Sequence, residues 1–204
     1  MKEPHTIIKR MSAADRRQQI LQHAFGLIRE QGFKSVSVRD IARAAQVNEA
    51  LIYRHFPTKE DLLLAVVRET VNRQPVTTRY LPRDQEAFKN QLLEFVAFFM
   101  ANAQKDPSIL KIMLYAVMEN YPLPDEFNYQ KEGSFFNWLY RSIEKGKAEW
   151  NFNPNVDPLF SISSFMGGLI VFVLHTTVTH LFPNREYPNF ASMYVGPFLK
   201  SLEA

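Results

Sequence analysis

The side chains in this sequence best placed to do chemistry lie in one stretch, residues 37–64. Arg39, Arg54 and Lys59 are cations there, and His55 can become one. Glu49, Leu51 and Tyr53 are interleaved among them. The mixture suits nucleic acid: cations hold phosphates, and the other side chains can meet base edges. It does not suit catalysis. The chain has no Gly-rich phosphate loop and no G-x-S-x-G nucleophile turn. Its five His stand at positions 5, 23, 55, 175 and 180. His175 and His180 miss the four-residue spacing that pairs metal ligands on a helix. There is no Cys, hence no thiolate zinc site and no disulfide framework. No enzyme activity, metal or cofactor is expected.

The elements that position these residues are marked by their caps. Ser37 opens a short helix, and Asp40 three positions on completes a capping box. Ile41, Ala44 and Ala45 fall on its inner face, and the small Ala42, Ala44 and Ala45 let another helix approach closely. Gln46 and Val47 form a turn. Asn48 opens a second short helix over 49–56. Pro57 stops it by pushing residue 56 out of the helical region. Thr58 and Asp61 repeat the capping box before the next helix. On the second helix Ile52 and Phe56 point inward, which leaves Glu49, Leu51, Tyr53, Arg54 and His55 outside. This is the layout of a helix-turn-helix, whose second helix enters the DNA major groove. A small three-helix core with a mixed surface is the plainer alternative, although Leu51 and Tyr53 are rare company for Arg54 and His55 on an inert helix.

The stretch GFKSVSVRDIARAAQVNEALIYRHFPTKEDLL resembles the DNA-binding domain of the tetracycline-repressor (TetR) family of bacterial regulators. The matching features are the Gly32-Phe33 corner, Val38, Ile41-Ala42, Ala45, Val47, Ile52-Tyr53, His55-Phe56, Lys59 and Leu62-Leu63, and the match covers residues 12–67. The family often has Ser, Lys, Gly and Thr where this chain has Asn48, Glu49, Ala50 and Leu51. The resemblance thus implies the mode of binding but not the operator sequence. Together with placement around the two short helices, it assigns Ser37, Arg39, Asn48, Glu49, Leu51, Tyr53, Arg54, His55 and Lys59 to the DNA surface. Arg39, Leu51, Tyr53 and Arg54 face base edges or the adjoining backbone, and His55 and Lys59 hold phosphates.

Charge agrees with this. Residues 1–60 carry 11 Lys and Arg against 6 Asp and Glu, whereas residues 61–204 carry 13 against 15. The basic excess sits with the helix-turn-helix, as phosphate contact requires. The first residues, MKEPHTIIKRMS, lack a signal-like apolar run, so a loose arm and a cytoplasmic location are expected.

The rest of the chain reads as helical. Ala13–Gln31 precedes the motif, with Ile20, Ala24, Leu27 and Ile28 at helical spacing, Phe25 alongside and Gly32 as its stop. Arg16 and Arg17 near its start either touch phosphate or form a solvated charge pair. A helix over 59–74 buries Leu62, Leu63, Val66 and Val67, and Pro75 to Thr78 with Leu81-Pro82 mark a hinge. Further helices are expected over 84–104, 107–120, 125–150, 159–182 and 187–202, with breaks at 121–124, a polar loop over 151–158 and a stop at Pro183. The 84–104 helix is apolar over most of its circumference and should be central. Residues 159–182 carry no Asp, Glu, Lys or Arg. Their unbroken apolar core, 165–174, is far shorter than the roughly 20 residues of a membrane span, so a buried or interface helix is expected. Gly167-Gly168 within it removes side chains where another helix comes close.

The chain has 17 Phe, 8 Tyr and 2 Trp, most of them after residue 80, and their helical spacing makes most of them core. Tyr115, Trp138, Tyr140 and His175 have polar tips within apolar runs and need partners if buried. A mostly apolar cavity with a few polar groups is the usual form of a small-molecule site, and the resembled family binds an inducer among these helices. The resemblance implies a flat or elongated lipophilic ligand, with Phe95, Phe99, Tyr115, Met118, Glu119, Trp138, Phe165, Phe172 and His175 as candidate contacts. It also implies a homodimer through a four-helix interface, with Val171, Val173, Leu174, Phe190, Tyr194 and Phe198 as candidates.

The reading is an all-α protein. Residues 1–74 form a three-helix helix-turn-helix domain with a linking helix, 59–74, and residues 75–204 form a helical ligand-binding and dimerisation domain. It reads as a cytoplasmic homodimeric repressor on near-palindromic double-stranded operator DNA, released by a small lipophilic or aromatic molecule and without a membrane partner. Two alternatives stay open: a non-inducible DNA-binding protein, and a lipophile-binding carrier or enzyme built on the aromatic domain.

Overall fold

Capping fixes the first helices. In this computed structural model, which describes residues 11–32, 34–72, 80–118, 120–121, 127–179 and 187–204, the chain divides into two compact units, Met1–Val66 and Val67–Ala204. In the first, Ser12 and Asp15 form a capping box that opens α1, Ala13–Gln31, and Gly32 at φ 78° closes it. Helix α2 is Val38–Ala44, α3 is Glu49–His55, and α4 is Lys59–Asn72. Such short helices are marginal alone and are held by what they bury. Ile20, Leu21, Ala24 and Ile28 of α1 are buried, as are Val38, Ile41, Ala42, Ala45, Ile52, Phe56, Leu62, Leu63 and Val66. Each large apolar side chain so buried contributes about 1.5–3 kcal/mol. The inner stripe of α1 includes Leu21, which spacing missed, whereas Leu27 and Phe25 are only half-buried. Ala44 is likewise half-buried, and Ala42 takes the inner place.

The second unit contains α5, Gln85–Lys105, α6, Ser108–Met118, α7, Phe135–Glu149, α8, Pro158–Thr177, and α9, Phe190–Leu202. Helix α5 packs against α6, α8 and α9, and α7 packs against α8. It is central, as its apolar circumference predicts: Phe88, Leu92 and Val96 are fully buried. Among the described residues the β structure is one isolated bridge, Phe152 to Glu203.

Three boundaries differ from the sequence reading by three residues or more. Helix α7 starts at Phe135, not 125, because Gly133 turns at φ 81° and Ser134 caps, accepting from Asn137 N at 2.9 Å. The Ser134 hydroxyl and the Asn137 amide then donate to the carbonyls of Asn128 and Tyr129 and hold the preceding loop. Helix α8 ends at Thr177, before Pro183, which lies outside the described residues, as do Pro75 and residues 122–124. Near that end Thr176 and Thr177 bond back to carbonyls of Phe172 and Val173, a pattern that weakens a helix. Helix α9 starts at Phe190, after a turn over 187–189.

The loop over 151–158 is polar in composition, yet Phe152 is buried within it. Gly146 makes room: a Cβ there would stand 2.1 Å from Phe152 Cδ2. Asn153 N then donates to Leu202 O at 2.8 Å, tying the loop to the end of α9.

By length and composition α8 is apolar enough to cross a membrane. Its inner face is instead committed to protein, with Ile162, Phe165, Leu169 and Val173 in the core. The outer face shows Leu159, Phe160, Ser163, Ser164, Gly168 and Val171. Of the six interface candidates, Val173 therefore belongs to the core, and Leu174, Phe190, Tyr194 and Phe198 pack partly against it. Val171 faces outward.

Candidate nucleic-acid interface

Three side-chain caps set the rigid frame of the first unit. Ser37 Oγ accepts from Asp40 N at 3.1 Å, and Asp40 Oδ2 accepts from Ser37 N at 3.1 Å. The Ser37 hydroxyl, which donates to Asp40 Oδ2, and then the Ser37 N–H hold the Asp40 carboxyl below the usual carboxylate range, and Arg43 and Arg39 add to the effect. Asn48 Oδ1 accepts from Leu51 N at 2.8 Å. Thr58 and Asp61 exchange the same pair of bonds at 3.0 Å. Between α2 and α3 the chain reverses at Gln46, which sits at φ 55°, and Val47 N returns to Ala42 O at 2.9 Å. Each such cap is worth about 0.5–2 kcal/mol. Ser37 and Asn48 thus position helices by the same oxygens that make them polar. After Pro57 forces the stop, Phe56 adopts extended backbone at φ −140°.

Ile52, Phe56, Glu49, Tyr53 and Arg54 fall as the periodicity predicts, whereas Leu51 and His55, expected outside, are partly covered. Ile52 and Phe56 are buried; Arg39, Glu49, Tyr53 and Arg54 are exposed; Leu51, His55 and Lys59 are half-buried. Tyr53, at 47% exposure, is a large aromatic held out to water on a helix of seven residues. The outer surface of α3 thus presents a carboxylate, a phenol and a guanidinium on a helix locked at both ends. That arrangement can enter a groove without reordering its backbone, which lowers the cost of binding. Sequence reasoning left one neighbour undecided. Arg17 of α1 lies with its guanidinium 5.0 Å from the centre of the Phe56 ring, a contact between residues far apart in sequence.

In the second unit the structure joins five candidate ligand residues through ring contacts. Phe95 stacks on Phe135 with centroids 3.6 Å apart, and lies 6.0 Å from Phe99 and 6.5 Å from Phe165. Phe135 reaches Trp138 at 5.6 Å. Phe165 continues through Tyr194 and Phe190 to Phe172. Sequence reasoning did not single out Phe135 or Tyr194 as members. The polar tip of Trp138 finds its partner in the backbone, donating from Nε1 to Tyr80 O at 3.2 Å. Tyr115 and His175 are half-buried. Met118 stands at the surface at the end of α6, 84% exposed, and Glu119 lies outside the described residues.

Comparison with known proteins agrees with this geometry. Residues 20–66 match the family model described as bacterial regulatory proteins, tetR family. The nucleoid occlusion factor SlmA of Haemophilus ducreyi is 29% identical over 158 residues, 72% of this chain and 77% of that one. The nicotine-responsive transcriptional repressor HdnoR of Paenarthrobacter nicotinovorans is 35% identical over 74 residues, 36% of this chain and 37% of that one. Among solved structures, a TetR-family transcriptional regulator from Haemophilus influenzae superposes with a TM-score of 0.70 at 14% identity, covering 96% of this chain and 100% of the other.

Proposed function

We propose that this chain, whose residues 20–66 match the tetR family of bacterial regulatory proteins and which is a DNA-binding transcription regulator and not an enzyme, is a ligand-released repressor. It binds a near-palindromic operator in the cytoplasm as a homodimer, by α2 and α3 of each protomer. A small lipophilic or aromatic molecule enters the second unit and lowers operator affinity. The observation that supports the ligand is the aromatic network of Phe95, Phe99, Phe135, Trp138 and Phe165, apolar rings of the kind that take a flat apolar guest. Helix α4 carries the signal, because it is the segment in which the two units meet along the chain. A ligand shifts this balance only by binding the two states differently, and operator DNA must then weaken the ligand by the same factor. The test is titration with a fluorescent aromatic probe such as anilinonaphthalene sulfonate, with and without a duplex from upstream of the protein's own coding sequence. Weaker probe binding in the presence of the duplex is expected. Equal affinity would remove the induction half of the proposal.

A second reading has one specific support. The similarity to the nucleoid occlusion factor spans 158 residues and so runs beyond the DNA-binding unit, whereas that to the nicotine-responsive repressor spans 74. On this reading the protein acts in nucleoid occlusion, as the name of that relative states, rather than at one promoter. Genome-wide mapping of its bound DNA separates the two by the number and placement of sites.

A further inference from the structure

Arg17 differs from its neighbouring cations in how it is held. Arg16 is tied to Gln19 by a 2.7 Å hydrogen bond, and Arg43 lies 3.7 Å from Asp40. Arg17 instead lays its guanidinium over the ring of Phe56, 5.0 Å from its centre. Among the described residues no hydrogen bond or ion pair engages it. Stacking on an aromatic face occupies the plane of a guanidinium and leaves its in-plane donors open. It also orders the side chain in advance, so less rotamer freedom is lost when an acceptor arrives.

The platform is informative. Phe56 is the residue that ends α3, and its ring lies 6.3 Å from that of His55. Arg17 thus delivers a positive charge from α1 to the trailing end of the helix bearing Tyr53 and Arg54, two residues before Pro57 and Thr58 lead into Lys59. A recognition helix of this kind meets bases with its leading residues, and its flanks meet the sugar-phosphate backbone. An arginine with open in-plane donors is matched to a phosphate.

We propose that Arg17 is a DNA-contacting residue: a phosphate clamp held ready on Phe56 at the trailing end of α3. The inference rests on the DNA-binding reading above and adds a contact from outside the helix-turn-helix. The competing account is structural, with Arg17 serving as a cover for Phe56 and a favourable charge at a helix C-terminus.

Arg17→Met separates the two, because an unbranched apolar chain still covers the ring while the charge is gone. Binding is measured by fluorescence anisotropy on a short mixed-sequence duplex, between about 50 and 200 mM salt. The expected result is a salt slope smaller by about 1 for each protomer bound. The advantage of the native protein over the variant then shrinks about threefold per protomer across that range. An unchanged slope, whatever the affinity, overturns the clamp. If circular dichroism shows that Arg17→Met melts early, Arg17→Gln gives the same readout. A native protein without salt-dependent DNA binding would instead overturn the DNA-binding reading itself.

Discussion

Glu49 is an anion on a helix assigned to a polyanion, and that conflict carries information. A carboxylate near phosphates is repelled unless a base offers it a proton donor. In the major groove the donors are cytosine N4 and adenine N6, with cytosine the usual partner of Glu. Glu49 is exposed in the first turn of α3, where recognition helices meet base edges. The expected outcome of Glu49→Ala is a relaxed preference at one base pair of each half-site, worth about 1–3 kcal/mol, with the salt slope kept. Lys59→Ala should do the opposite, weakening all sequences alike and lowering the slope by about 1. Competition among operators carrying single base changes reads both. A uniform loss for Glu49→Ala, or a changed operator preference for Lys59→Ala, would reverse the assignments.

At the scale of elements, the α8–α9 contact depends on one absent side chain. The Tyr194 hydroxyl donates to Phe165 O, and a Cβ on Gly168 would stand 2.7 Å from the Tyr194 hydroxyl oxygen. Gly168, where the sequence led us to expect close helix approach, thus has its reason, while a Cβ on Gly167 would meet no atom within 4 Å. Burial raises the Tyr194 phenol above its ordinary value of 10.0. Its neutral form is the one the fold prefers. The stability it contributes is therefore full below about pH 10 and is lost as pH rises through the higher folded value. Tyr194→Phe should cost about 1 kcal/mol at neutral pH through the lost hydrogen bond and flatten the alkaline limb of a thermal-stability profile. An unaltered alkaline limb would show that Tyr194 does not govern it. The contrast between elements says what was legible in the sequence. Caps and Pro57 act within three or four residues, so α2, α3 and the start of α4 could be read directly. The start of α7 was written locally too, in Gly133-Ser134, but the break at 121–124 suggests a start directly after it. Phe152 in the core and Arg17 on Phe56 depend on partners brought together by the fold, and no local pattern reports them.

At the scale of the whole molecule, the proposed dimer would form through the outer face of α8 and α9. Ser164, Gly168 and Val171 are exposed at helical spacing on α8, and Val171 and Met193 remain 49% and 59% exposed. A small-residue stripe beside apolar side chains lets two helices approach closely, and a two-fold axis pairs the same patch with itself. Two linked reading helices then gain on two half-sites what one lacks, an advantage of about 10²–10⁴ in affinity when the geometry fits. Val171→Glu tests this without touching the core, because it sets a carboxylate on an already exposed position. In a dimer the two-fold axis brings in two such charges, and burying them without partners is strongly unfavourable. Sedimentation equilibrium at micromolar concentration should find the native protein dimeric and Val171→Glu monomeric, with the same helix content by circular dichroism. Affinity for a palindromic operator should fall in step with the loss of the dimer, while weak binding to a single half-site persists. A native protein that sediments as a monomer would refute the dimer, and with it the near-palindromic operator.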